Sequence, residues 1–317
     1  MIKRNTLLSL IMLWAALYAT NCFASSSPPV IMVSIKPFYN ICAKVMQSVG
    51  KPHLLLTNNA SPHDYQLKPS DAKMIDSSDL IIWGGPELEG YLQKPVSSLA
   101  NHDLNLAQLP GLVLLPMRTS TNWEQHSHEH EHSHDHTHHH DSHAHMVNDP
   151  HFWLDPNNAI VIANAIAARL AELDPTNAKT YFNNAKEFAR QLKVDTIDWR
   201  KQLAPYKDKP YIASHDAYQY FNKYFGLDGA GAVTLHPEIP PSIQRIKQIQ
   251  ELLITEKVTC IFSEPQFNYK IINTLIKGTT VHQGQLDPLG QDADLGTNGY
   301  MVLMNNLVNS FVTCNKQ

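Results

Sequence analysis

The sequence lacks the features that direct a protein to nucleic acid or into a membrane. Its 25 basic and 29 acidic side chains give a formal net charge of −4, so it has no basic excess for contacts with phosphate backbones. The apolar run at 7–19 is too short for a comfortable membrane span. What the chain does have is size: 317 residues, 43% of them hydrophobic, are enough for two compact domains of ~100–200 residues each.

Residues 1–24 have the pattern of an export signal. Lys3 and Arg4 form a positive segment, the apolar run follows, and Cys22-Phe23-Ala24 supplies small residues shortly before a cut. We therefore expect cleavage near Ala24 and export from the cytoplasm. A lipidated Cys22 is the alternative, although lipoprotein signals place Gly, Ala or Ser before that cysteine and this chain has Asn21.

Cysteine is scarce, and only Cys42, Cys260 and Cys314 remain after the signal. An exported chain enters an oxidising compartment, so two of the three are expected to pair. A bridge between Cys260 and Cys314 would tie the C-terminal tail to its own domain. Cys42 lies within a helical segment and is predicted to be a buried free thiol, although spacing alone does not determine the pairing.

Strand and helix signals alternate in both halves of the chain, which predicts parallel sheets with helices on both faces. The predicted strands are at 30–35, 53–57, 80–83, 211–213, 259–262 and 279–282. The predicted helices are at 37–49, 70–76, 87–99, 157–173, 216–225, 242–257, 267–277 and 299–312.

One further helix is predicted between the two halves, at 176–203. Its apolar residues recur at three- and four-residue steps, and it would span about 42 Å as a stiff strut. The expected fold is therefore α/β, with two lobes joined by one long helix. We assign 25–175 to an N-terminal lobe, 176–204 to the linking helix and 205–317 to a C-terminal lobe.

A histidine-rich insert interrupts the N-terminal lobe at about 124–148. Its histidines alternate with acidic residues and almost no apolar residue is present, so we expect disorder. Imidazoles at this density bind Zn²⁺, Cu²⁺ or Ni²⁺, but flexible ligands lose ordering entropy on binding and should form weak sites. The candidates for these weak metal sites are His126, His128, His130, His132, His134, His136, His138, His139, His140, His143 and His145.

Three isolated histidines and one aspartate form a second candidate metal site. A lone histidine is usually a surface or satisfied core residue, but His63, His215 and Asp287 each follow a predicted strand, and His151 precedes a helix. Ligands of open parallel sheets bind beyond the carboxyl ends of strands, so His63 and His215, from different halves, imply a site between the lobes. Three neutral imidazoles with a carboxylate or water suit tetrahedral Zn²⁺, whereas Mn²⁺ prefers more oxygen ligands.

Five ordered motifs resemble those of the cluster A-I metal-binding proteins, the solute-binding components of ABC transporters, and within them the zinc-specific ZnuA branch. The resemblance runs from about residue 30 to residue 314. The motifs are Ser61-Pro62-His63-Asp64-Tyr65, His151-Phe152-Trp153-Leu154-Asp155-Pro156, Ser214-His215-Asp216-Ala217-Tyr218, Phe262-Ser263-Glu264-Pro265-Gln266 and Leu286-Asp287-Pro288-Leu289-Gly290.

This resemblance implies a fold and a function. It implies two (β/α) lobes joined by a rigid helix, with Zn²⁺ bound in the cleft between them as the transported ligand. It also implies a monomeric protein in the periplasm, which delivers zinc to an inner-membrane permease and its ATPase. A charged histidine-rich loop at 124–145 and a disulfide between Cys260 and Cys314 belong to the same resemblance.

The resemblance also implies which residues bind the metal. The implied ligands are His63, His151 and His215, with a carboxylate or water in the fourth position. Asp287 matches an aspartate that is a ligand in the manganese branch, but that branch has a glutamate at the position of His215, and this difference favours zinc. The chain has Asn58-Asn59-Ala60 where zinc relatives often carry a glutamate, so no ligand is expected there.

Two other classes of function fit part of the pattern. Three histidine ligands with an open position can lower the pKa of bound water to ~7, as in zinc hydrolases. The chain has no HExxH motif, Ser214, His215 and Asp216 are too close in sequence to form a catalytic relay, and the only spare base is Glu264. We therefore predict that it is not an enzyme. A surface metal-binding adhesin or a zinc chaperone is the remaining alternative, and Asn21 weakens the case for anchoring.

Deletion of residues 124–145 should remove the weak zinc sites and leave the tight one, because the isolated histidines lie outside the insert. Competitive zinc titration of the mature protein against Mn²⁺, with and without the insert, measures both classes of site. Loss of the tight site in the shortened protein would contradict this separation.

Overall fold

The computed structural model describes residues 27–57, 60–99, 102–123, 147–267 and 270–317. The predicted signal at 1–24 and the predicted metal-binding histidines of the insert lie outside these described residues. The described chain contains two sheets of four strands each, and every strand pair in them is parallel. The predicted α/β fold with two parallel-sheet lobes is therefore confirmed.

The two sheets repeat one strand order. The N-terminal sheet has the order β2-β1-β3-β4 and the C-terminal sheet the order β6-β5-β7-β8. In each sheet, the first strand of the lobe is an inner strand, with the second strand on one side and the third strand on the other. The strand order therefore reverses at the first strand, and a crevice forms there at the carboxyl ends of the strands. The strands are β1 (Ile31–Val33), β2 (His53–Leu54), β3 (Leu80–Trp83), β4 (Asp103–Asn105), β5 (Tyr211–His215), β6 (Gly229–Thr234), β7 (Cys260–Ser263) and β8 (His282–Gln285).

Helices cover the sheets, and the inner strands are apolar on both faces. Strands β1 and β3 are buried at every residue, as expected for parallel strands with helices on both sides. Within the described part of the chain, no helix combines the length and apolar character that a membrane span needs. The helices are α1 (Lys36–Val45), α2 (Pro69–Asp76), α3 (Gln93–Ser97), α4 (Pro156–Leu173), α5 (Ala178–Leu203), α6 (Gln219–Phe225), α7 (Ile243–Thr255), α8 (Lys270–Ile276) and α9 (Gly299–Asn315).

Helix α5 is the long helix that the sequence predicts between the halves. Its 26 residues span about 39 Å at 1.5 Å per residue. One face is buried along its whole length, from Tyr181 through Phe188 and Leu192 to Trp199 and Leu203. This face packs against α4 and α1 of the N-terminal lobe and against α9 of the C-terminal lobe. A single element therefore contacts both lobes.

A short segment of the N-terminal half, Thr121–Trp123, pairs with the edge of the C-terminal sheet; we call it the strap. The amide of Ala232 in β6 donates to the carbonyl of Thr121 at 2.9 Å, and the amide of Trp123 donates to the carbonyl of Ala230 at 3.2 Å. The Arg245 guanidinium adds bonds to the carbonyls of Thr121 (3.1 Å) and Ala232 (2.6 Å). The strap thus covers a sheet edge that would otherwise be open.

Strand β6 was missed by the sequence analysis because it consists largely of glycine and alanine, which have low strand propensity. The strap explains this composition. A Cβ atom at Gly229 would lie 2.0 Å from the Trp123 ring, and one at Gly231 would lie 2.5 Å from the Thr121 carbonyl oxygen. Small residues are required here for close approach of the strap.

Two predicted elements differ from the structure. The helix predicted at 87–99 is a 3₁₀ turn (Gly90–Leu92) followed by the short helix α3, because Pro95 has no amide proton and fits only the first turn of a helix. The last strand, predicted at 279–282, is β8 (His282–Gln285), and strand β4 was not predicted. Strand β8 contains only polar residues and a glycine, so its sequence shows no alternation of apolar and polar residues.

The disulfide joins Cys260 to Cys314, and Cys42 is a buried free thiol, so both cysteine predictions are confirmed. Cys260 begins β7, and Cys314 lies in the last turn of α9. The bond therefore attaches the terminal helix to the end of the sheet opposite the carboxyl ends of the strands.

Replacement of the disulfide by Cys314→Ser should lower the free energy of unfolding by about 2–5 kcal/mol, since the bond closes a long loop of the unfolded chain. Zinc affinity should stay within about threefold of the wild type, because the bond lies at the far end of β7. Chemical denaturation and zinc titration measure the two quantities, and Cys42→Ala serves as the control that removes a sulfur but no cross-link. An equal loss of stability in both variants would refute the prediction.

Candidate metal centre

The structure brings together three of the four residues predicted as metal ligands. His63 lies in the turn that follows β2, His151 immediately precedes a 3₁₀ turn (Phe152–Leu154) before α4, and His215 is the last residue of β5. One ligand nitrogen from each imidazole lies within 4.8 Å of the other two. The Nε2 atoms of His151 and His215 are 3.3 Å apart. These atoms come from both lobes and could bind a single ion.

Two buried carboxylates determine the orientation of the imidazoles. Asp149 Oδ1 is 2.8 Å from His151 Nδ1, and Glu264 Oε1 is 2.7 Å from His215 Nδ1. A hydrogen bond at Nδ1 assigns the proton to that nitrogen and leaves the Nε2 lone pair free for a metal. Glu264 also accepts the hydroxyl of Ser214 at 2.9 Å. The rings are thus oriented for binding by the protein itself.

The electrostatics keep two of the rings neutral. Burial lowers the pKa of both His63 and His151, and the nearby His215 lowers them further. Burial also acts to lower the pKa of His215, but the charge and hydrogen bond of Glu264 outweigh it and raise that pKa above 6.5. Burial raises the pKa of Asp149 to about 7, against the hydrogen bond from the His151 amide.

The three imidazoles line a small cavity of about 10 Å³. Its other walls are largely apolar, and they include Trp153, Phe267 and Leu289. The Trp153 indole donates to the carbonyl of Pro288 at 2.8 Å and so closes one side. A cavity of this size can accommodate an ion and its immediate ligands but not an organic substrate.

Asp287 lies outside the group of converging nitrogens. Its Oδ1 accepts bonds from Gln266 Nε2 at 3.0 Å and from the amide of Leu289 at 3.1 Å, and its Oδ2 accepts the amide of Gln291. Burial raises its pKa, although these hydrogen bonds act in the opposite direction. Its role as a fourth ligand stays a prediction.

Sequence analysis missed the partners of the two imidazoles. Asp149 precedes His151 by two residues, and this Asp-Pro-His spacing was an available signal, because a carboxylate so close in sequence can reach the ring. Glu264 was considered only as a spare base. Its contact with His215 arises because β7 lies beside β5 in the sheet, and no local pattern encodes that neighbour.

Comparison with known proteins identifies similar chains. Residues 31–314 match the family described as "ZnuA: Zinc-uptake complex component A periplasmic". The "High-affinity zinc uptake system protein ZnuA" of Brucella abortus (strain 2308) is 42% identical over 303 residues, which cover 90% of this chain and 91% of that protein. The protein of the same name from Yersinia pestis is 39% identical over 323 residues and covers 100% of both chains. A solved structure described as "Crystal structure of ZnuA" shares the fold, with a TM-score of 0.71 and 23% identity over 89% of this chain and 99% of that one.

Zinc affinity should fall as the pH is lowered, because Zn²⁺ competes with protons for the imidazoles. His215 takes up a proton first, since its pKa is raised above 6.5, whereas the lowered pKa values of His63 and His151 keep them neutral. The decline should therefore begin above pH 6.5, by up to about tenfold per pH unit while one proton competes. Competition titrations between about pH 8 and pH 5 measure it. A constant affinity down to about pH 6 would be inconsistent with this order of titration.

Proposed function

The chain belongs to the ZnuA family of periplasmic zinc-uptake components, and on that premise we propose that it captures Zn²⁺ for an ABC transporter and delivers it to the inner-membrane permease and its ATPase. One observation carries the proposal: three imidazole nitrogens from two lobes converge within 4.8 Å and line one small cavity. Export through cleavage of residues 1–24 would place the protein beside such a permease, and we propose that it acts as a monomer with lobes at 25–175 and 205–317.

The donor set supports zinc as the ion. Neutral imidazoles with an open fourth position are a common zinc environment, and Zn²⁺ accepts the tetrahedral arrangement that three converging nitrogens and one further ligand provide. Manganese prefers several oxygen ligands, and the described ligand group contains none. The two carboxylates bound to Nδ1 of His151 and His215 add negative charge near the ion without occupying its coordination sphere.

The site is better suited to binding than to catalysis. A zinc hydrolase needs room for its substrate beside the metal, and the cavity of about 10 Å³ does not provide it. Glu264, the candidate base, is already engaged by His215 and Ser214. We therefore propose a binding protein without enzymatic activity. No comparable observation favours an adhesin or a zinc chaperone.

Within this proposal, the ion is released by a local movement near the site and not by a wide opening of the two lobes. Helix α5 packs against both lobes, and the strap adds backbone bonds between them, so a wide hinge opening would break many contacts. Movement of the segments next to His215 or Asp287, triggered by docking on the permease, would open the site at lower cost. The cleft is then largely preformed for capture and rearranged for release.

His63→Ala and His215→Ala should each lower zinc affinity at least tenfold, because each removes one of three direct ligands. His102→Ala is the matched control, since His102 is an exposed histidine of the same chain outside the cluster. Competition titration of the full mature protein measures affinity, and the weak sites at 124–145 should persist in all variants.

The same variants test the transport role in cells. In a strain that lacks the chromosomal copy, the wild type and His102→Ala should restore growth in zinc-chelated medium, and the two ligand variants should not. Unchanged affinity in both ligand variants would refute the site. Full growth with a variant that has lost tight binding would refute the uptake role.

A further inference from the structure

The side chain of Gln266 lines the metal cavity and also contacts Asp287. Its Nε2 donates to Asp287 Oδ1 at 3.0 Å. That carboxylate also accepts the backbone amides of Leu289 and Gln291, so it serves only as an acceptor here. The amide group of Gln266 must therefore turn its NH₂ toward Asp287, and its Oε1 must face away from Asp287.

This Oε1 atom is buried and has no hydrogen-bond partner among the described residues. Gln266 also lines the small cavity that is lined by His63, His151 and His215. Buried polar groups are rarely left without a partner. Among the unpartnered side-chain atoms of the described residues, Gln266 Oε1 belongs to the one residue that lines the metal cavity, so a donor that arrives with the metal can satisfy it. Water bound to Zn²⁺ is such a donor, because the ion increases the acidity of its protons.

We propose that Gln266 is a positioning residue for zinc capture: its Oε1 accepts a hydrogen bond from the water that completes a tetrahedral site with His63, His151 and His215. Asp287 orients Gln266 through Nε2 and is not itself a ligand. The inference rests on the proposed function, since it concerns the same cavity and ion. It answers the question that the sequence left open between Asp287 and water.

The existing hydrogen bonds of Asp287 favour this arrangement over direct ligation by its carboxylate. A metal bond to Asp287 would compete with the hydrogen bonds from Gln266, Leu289 and Gln291. The neutral amide oxygen of Gln266 accepts the hydrogen bond from the water, and the three hydrogen bonds of Asp287 stay intact.

The test uses the full mature protein and its variants Gln266→Leu, Asp287→Asn and the double variant. Gln291→Leu is the matched control, because Gln291 has a similarly buried and unpartnered Oε1 but does not line the metal cavity, and its backbone bond to Asp287 survives the substitution. Gln266→Leu and Asp287→Asn should each weaken zinc binding about three- to tenfold. The double variant should bind zinc no more weakly than the more affected single variant, because Asp287 acts on the site only through Gln266. Gln291→Leu should bind as the wild type does.

A second measurement identifies the fourth ligand directly. Cobalt(II), added below one equivalent so that it fills the tight site, gives an electron paramagnetic resonance signal that broadens in ¹⁷O-enriched water when water is bound. Broadening is expected in the wild type and in Asp287→Asn. Broadening that appears only after Asp287→Asn, together with a loss of affinity as large as that of His215→Ala, would make Asp287 the ligand and overturn the proposal. Additive effects in the double variant would overturn the action of Asp287 through Gln266.

These outcomes are separable from failure of the proposed function. A wild-type protein without tight stoichiometric zinc binding would refute the capture role. Tight binding that depends on His215 but is unaffected by Gln266→Leu would refute only the role of Gln266.

Discussion

Two buried imidazole–carboxylate pairs are the interactions on which the site depends. His151 with Asp149 and His215 with Glu264 orient their rings so that the Nε2 atoms lie 3.3 Å apart. Two imidazole nitrogens this close are tolerated only while the two rings carry at most one positive charge between them. Burial lowers the pKa of His151, which keeps that ring neutral. The cost of arranging the ligands is met during folding, and little ordering remains for the binding step.

The architecture positions His151, His215 and Glu264 at the ends of helices and strands, whereas His63 lies in a turn. His215 ends a central strand, Glu264 follows the neighbouring strand, and His151 precedes a long helix that packs on α5. In each lobe the strand order creates a crevice at the carboxyl ends of the strands, where ligands bind. The fold therefore supplies the positions, and the side chains at the strand ends supply the chemistry.

Sequence reasoning reached those parts of the structure that local patterns encode. Alternating strand and helix signals predicted the lobes, and the stripe of α5 predicted the long helix. His63 and His215 were found because each follows a predicted strand, at 53–57 and 211–213. Contacts between neighbouring strands were beyond reach: Glu264 meets His215, and Gln266 meets Asp287, only after β5, β7 and β8 assemble. The Gly-Ala composition of β6 also concealed a strand, because Trp123 and Thr121 of the distant strap require glycine at 229 and 231.

The strap has a consequence for how the sequence can change over time. A large ring from the N-terminal half occupies the space that a Cβ atom at Gly229 would need, so the fitness of one position depends on the other. A bulkier residue at 229 becomes acceptable only after Trp123 has been exchanged for a smaller one, and the reverse order passes through an intermediate with a gap. Positions 123 and 229 therefore cannot change independently. Recombination between distant relatives at the lobe boundary would combine residues at these two positions that do not fit each other.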